Sequence, residues 1–201
     1  MDRRNFIKSL LASGVLGSSP LAAQAANELF RPGAAQPVLI VGQSGLPHAD
    51  ELVARLERVF AAAGIDYVQA RASGSELTGY SHVVALLDRI AGHRVIGVMD
   101  DAAALIFQEL AAARGAACVI NTHHRFAAQE VRHCCTSAAL DGSIVWQDSL
   151  ADHAERIGRL YAGAIGGRES AAVRGAQVTG EDLAMTADAT PGSLVSFLIA
   201  V

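Results

Sequence analysis

The chain has 201 residues, of which 51% are hydrophobic, 18% charged and 5% aromatic. That balance excludes a disordered chain, fits one domain better than two, and leaves Ala, Val, Leu and Ile to build the core. Lys8 is the only lysine, which excludes an internal Schiff base and a phosphate-binding or kinase lysine in the domain that follows. Residues 26–201 carry 13 Arg against 19 acids, a net charge of −6, with no basic run; this argues against nucleic-acid binding.

Residues 2–8 read Asp-Arg-Arg-Asn-Phe-Ile-Lys. An arginine pair, a polar spacer, Phe, an aliphatic residue and a lysine resemble the twin-arginine (Tat) export signal. The stretch from Ser9 to Ala25 is only mildly apolar, interrupted by Gly14, Gly17, Ser18, Ser19 and Pro20, and is too weak for a stable membrane span. Ala23-Gln24-Ala25 offers small residues where a signal peptidase reads, so cleavage is expected after Ala25, with Leu21-Ala22-Ala23 as a weaker site. The organisation expected is a signal peptide over 1–25, a tether over 26–36 and one domain over 37–201. The resemblance implies export of a folded protein by the Tat machinery to the bacterial periplasm, alone or with a co-exported redox partner. In that oxidising compartment disulfides persist. A Cys134–Cys135 bond would strain the intervening peptide, and Cys118 reaches either only from a neighbouring strand. The alternative is three buried thiols.

Pro37 to Gly42 is a continuous apolar run, the pattern of a strand buried on both faces. Gly42-Gln43-Ser44-Gly45 is a turn, and Pro47 suits a first helical turn. From His48 to Ala63 the apolar residues Leu52, Val53, Leu56, Val59 and Phe60 recur at helical spacing, and Gly64 stops the helix. Asp66–Arg71 is a short strand, Ser73-Gly74-Ser75 a loop, and Ser81–Ala91 a helix. Arg94–Met99 is a second buried strand. Asp100-Asp101 places acid at the start of the next helix, which runs to Gly115. Ala116–Ile120 is the next strand. Strand and helix alternate through residues 37–120, which predicts parallel strands joined by crossovers.

The pattern then changes. Gln129–Ala138 and Ser143–Gln147 flank an Asp141-Gly142 turn signature and read as an antiparallel hairpin. A helix follows from about Leu150 to Ile165, with His153, like His82, expected at an exposed helical position and Trp146 anchoring the hairpin on the core. Residues 168–193 read as loop. Ser193 to Val201 is an uncharged terminal strand that must be buried or paired. The expectation is an α/β fold: a single three-layer domain with a mostly parallel sheet, Rossmann-like or flavodoxin-like, plus a C-terminal hairpin and helix.

In an open parallel sheet ligands collect beyond the carboxyl ends of the strands. The expected ligand-binding residues there are Gly42, Gln43, Ser44, Gly45, His48, Arg71, Asp101, Asn121, His124 and Arg125. A turn entering a helix can hold an anion on free N–H groups, with Arg71 or Arg125 as a clamp; an ordinary strand-to-helix turn has the same sequence. Ser44, Asp100 and His123 follow the chain order of an α/β-hydrolase triad, although Gly42-Gln43-Ser44-Gly45 lacks the full nucleophile-elbow motif. His123 and His124 could share a metal only on a loop, because neighbours on a strand face opposite ways. The leading reading is an exported small-ligand-binding or accessory protein. The alternatives are a small hydrolase using Ser44, Asp100 and His123, a metal-assisted enzyme, and a non-catalytic subunit of a redox complex.

Overall fold

A computed structural model describes residues 38–137, 143–167 and 192–200. The signal peptide, its cleavage site, the tether, the Asp141-Gly142 turn and the stretch 168–191 lie outside the described residues.

Seven strands form one sheet: β1 (Val38–Gln43), β2 (Tyr67–Ala72), β3 (Arg94–Met99), β4 (Ala117–Phe126), β5 (Glu130–Ser137), β6 (Ser143–Ser149) and β7 (Ser193–Ala200). Their spatial order is β2-β1-β3-β7-β4-β5-β6. Among the described residues five helices accompany them: α1 (Pro47–Ala63), α2 (Gly74–Thr78), α3 (Tyr80–Arg89), α4 (Asp101–Ala112) and α5 (His153–Ile165).

The sheet is mixed, which corrects the mostly parallel, Rossmann-like expectation. Only β1–β2 and β1–β3 pair in parallel; β3–β7, β7–β4, β4–β5 and β5–β6 are all antiparallel. The physical reason is β7. Residues 194–200 are all buried, so this strand belongs between others rather than at an edge. It occupies the slot between β3 and β4. Those two strands still run in the same direction, as the β3–α4–β4 alternation requires, but one strand-width apart. The predicted hairpin is present, with β5 and β6 paired from Glu130↔Ser149 to Thr136↔Ser143.

The alternation of side chains along the strands splits the core in two. On one face Val38, Ile40, Ile96, Val98, Ile120 and Leu198 meet α1 and α5. On the other, Leu39, Val41, Val95, Met99, Val195 and Phe197 meet α2, α3 and α4. Glycine sets the closest approach in the second core: Gly97 pairs with Phe197 across β3–β7, and the phenyl ring lies directly over it. Arg94, at the start of β3, donates to the Ile165 carbonyl at 2.7 Å and ties the end of α5 to the sheet. Among the described residues no helix is long and apolar enough to cross a membrane.

Three differences from the sequence reading bear on the site. Ser73-Gly74-Ser75 is not a loop but the start of α2: Ser73 caps the Glu76 N–H, and Glu76 reaches back to the Ser73 N–H, a reciprocal cap that holds a five-residue helix. That pairing keeps the Glu76 carboxyl below its usual range. The second difference is β4, which continues to Phe126. Ile120, Thr122, His124 and Phe126 are buried and alternate with more exposed neighbours, so Asn121 to Arg125 is strand, not a loop beyond it. The third is His153, which is fully buried rather than exposed.

Candidate functional site

The carboxyl ends of β1, β2, β3 and β4 do share one edge of the sheet. The register makes Gln43 level with Ala72, and sets Met99 and His123 on either side of Val195. Several of the residues expected to bind a ligand there are engaged by partners within the fold. Gln43 is buried, donates to Asp100 Oδ2 at 2.7 Å and accepts from the Asp100 N–H at 3.0 Å. Asp100 Oδ1 accepts from the Ala103 N–H and caps α4. Arg71 is paired with Asp50. Gly42 is buried where a Cβ would stand 3.0 Å from Val53 and 3.1 Å from the Arg71 guanidinium, so this glycine admits α1 and the arginine stem. Gly45 takes a left-handed φ of 84°. Both glycines thus serve a strand-to-helix turn.

Ser44, Asp100 and His123 are directed to separate partners. Ser44 Oγ donates to the Ala72 carbonyl at 3.1 Å. Asp100 serves Gln43 and α4, as above. His123 Nδ1 lies 3.5 Å from Asp101, which also accepts from Ser193. His123 Nε2 meets the Asn121 amide at 3.5 Å. His123 is exposed on one face of β4 and His124 buried on the other, as strand geometry demands. Among the described residues no three His, Cys, Asp or Glu side chains are placed to hold a metal ion. Cys118, Cys134 and Cys135 are free thiols, so none of the disulfides considered from the sequence is formed. Cys134 stands opposite His123 and Cys135 opposite Thr122, several residues along β4 from Cys118.

On the α1/α5 face, under the same edge, lies a group that the sequence reading did not assemble. His124, His133, His153 and Ser196 are all fully buried. The Tyr161 hydroxyl and Ser196 Oγ are 2.7 Å apart, Ser196 Oγ and His124 Nε2 2.7 Å, and His124 Nδ1 and His133 Nδ1 2.7 Å. His133 Nε2 lies 3.5 Å from Asp148, whose carboxylate accepts from Trp146 Nε1 and Arg156, each at 2.8 Å. One ring nitrogen of a neutral imidazole donates and the other accepts, so the proton positions along the row are linked, and the tautomer of one histidine sets that of the other. His133 Nε2 itself has no hydrogen-bond partner among the described residues.

Burial makes all three imidazoles resist charging. The His124 pKa falls well below the ordinary histidine value, through desolvation and then the neighbouring His133. Desolvation lowers that of His133 to about 3 against the opposing pull of Asp148. His153 is lowered by burial too, opposed by its contact with the Leu150 carbonyl. Its Nδ1 lies 2.8 Å from that carbonyl and must donate, so its Nε2 is an acceptor with no hydrogen-bond partner among the described residues. Aromatic rings close the cluster: His48 stacks on Phe126 at 3.8 Å, and Trp146 stacks on His133 at 4.9 Å.

Ser196→Ala should remove the shared hydroxyl and leave His124 Nε2 and the Tyr161 hydroxyl without it. The expected cost is about 2 kcal/mol, measured as a lower urea midpoint, because orphaned buried polar groups lose their full desolvation energy. An unchanged midpoint would show that the row carries no stability. Ser196 was concealed by its apolar strand. The signal for His133 was the alternation Val131, His133, Cys135, all buried on one face of β5.

Two arginines complete the inventory. Arg125, expected as a clamp, and Arg132 face each other across β4–β5. They project from the opposite face to His124 and His133, where no described helix covers β5 or β6; α4 meets β4 through Gln108, 3.4 Å from Asn121, and through Asp101, 3.5 Å from His123. No protein family, no curated protein and no solved structure matches the chain.

Proposed function

We propose that the chain is an exported small-ligand-binding or accessory protein that acts in the bacterial periplasm, with its site at the carboxyl-terminal end of β4. The observation that carries the reading is the division of labour along the sheet edge. Ser44, Asp100 and Arg71 are committed to internal contacts, whereas Arg125 is half-buried, has no ion-pair or hydrogen-bond partner among the described residues and stands on the face that no described helix covers at β5 and β6. Recognition by unpaired polar groups on a fixed strand suits binding; nucleophilic catalysis needs a nucleophile joined to its base. The twin-arginine resemblance supports export of the domain already folded, and leaves room for a co-exported redox partner.

The test uses the full chain expressed with its own N-terminus in a bacterial host. The mature protein recovered from the periplasm should begin near residue 26 and carry additional mass in a native mass spectrum. Arg3→Lys with Arg4→Lys should hold the chain in the cytoplasm. A periplasmic double variant would overturn the export route, and a bare native mass would overturn a tightly held ligand.

A further inference from the structure

Resting on that reading, we infer that Arg125 and Arg132 form a clamp for a dianionic oxyanion, the phosphate or sulfate group of a small ligand. The register sets the two residues directly opposite on adjacent antiparallel strands, so both side chains leave the sheet on the same side. Like charges directly opposite each other on adjacent strands are destabilising, whereas an opposite charge there stabilises. Here neither guanidinium has an ion-pair or hydrogen-bond partner among the described residues. The nearby acids are occupied: Glu130 accepts from Gln147, and Asp101 accepts from Ser193 and faces His123. Both arginines are half-buried, so water screens their repulsion less well than at an open surface.

A ligand with two negative charges and several acceptor oxygens resolves this conflict. Each guanidinium can present two parallel N–H groups, and a tetrahedral oxyanion can accept from both at once. His123 lies two residues before Arg125 on the same face and adds positive charge when protonated. Glu130, two residues before Arg132 on the same face of β5, and Asp101, beside His123, oppose binding of further negative charge, which favours one compact anionic group.

The probes are inorganic phosphate, inorganic sulfate and phenyl phosphate, titrated into the folded full-length protein at constant ionic strength made up with chloride. Wild type should show saturable binding and a rise in Tm with phosphate that chloride does not give. Arg125→Ala and Arg132→Ala should each weaken binding tenfold or more, and Arg→Lys at either position should weaken it less. In low salt without the probe, Arg132→Ala should be at least as stable as wild type, because the substitution relieves the repulsion; this shows the variant is folded. Tighter binding of phenyl phosphate would identify a phosphoester ligand, and equal binding a free anion; both support the clamp. No saturable binding of any probe, or alanine variants that bind as wild type, would overturn it. A native mass adduct retained in both alanine variants would sink the clamp and leave the ligand-binding reading standing.

Discussion

Acidification from neutral pH to a pH of about 5 is expected to destabilise the domain before its carboxylates begin to protonate. The cause is the buried histidine cluster. In the folded chain His124, His133 and His153 all have lowered pKa values, with desolvation the largest cause in each case. In the unfolded chain they titrate near the ordinary histidine value. The unfolded state therefore binds more protons throughout the window below that value, and stability falls as pH falls. For His133 the window runs down to about 3. Its contribution alone reaches about 3 kcal/mol by a pH of about 4.5, a large share of what holds a domain of this size together. His124 and His153 act in the same direction. Urea unfolding at a series of pH values reads this as a declining midpoint, and imidazole proton resonances should show no titration of His133 in the folded state above a pH of about 5. His133→Leu removes the titrating group: the variant starts less stable, since His124 Nδ1 loses its partner, but its pH dependence should be shallower. A slope equal to that of wild type would show that His133 is not held neutral.

The same cluster shows what one strand of sequence reveals and what it conceals. Elements bounded by their own residues were legible. The apolar spacing in α1, the Asp100 cap of α4, the two strands flanking the Asp-Gly turn and the uncharged terminal strand are all written locally. Contacts set by the order of strands were not. The alternation of strand and helix over residues 37–120 correctly gives the direction of β4. It cannot give its neighbour, because the strand that intervenes comes from the other end of the chain. That insertion brings Ser196 to His124 across 72 residues. The site residues divide in the same way. Gln43 and Asp100 are polar residues at a strand end, and sequence alone cannot show that they satisfy each other. Arg132 was concealed because its importance comes from its register against Arg125. A polar residue such as His153 ordinarily lies on an exposed helical face; the packing of α5 over β4 and β5 buries it instead.

Replacing Gly97 is expected to be among the most damaging single substitutions in the sheet. Gly97 lies in the middle of β3, with Phe197 opposite it on β7. A Cβ on Gly97 would fall 2.0 Å from Phe197 Cζ and 2.5 Å from both Cε atoms, well inside van der Waals contact. The ring has nowhere to go, since Phe197 is fully buried and packs against Phe107 at 5.6 Å. Gly97→Ala must therefore displace a central side chain or open the β3–β7 pairing. The cost should be about 3 kcal/mol, at the upper end of the range for overpacked cores, and Gly97→Val should cost more. Phe197→Leu shortens the offending side chain at its own cost of a partly emptied core. Combined with Gly97→Ala it should be less damaging than the two changes summed, because the alanine methyl then fills part of the space the ring has left. Urea midpoints of the four chains complete the cycle. Strict additivity would mean that Gly97 is not required by the ring and that β7 does not lie against β3 in this register, so the result tests the central pairing of the fold.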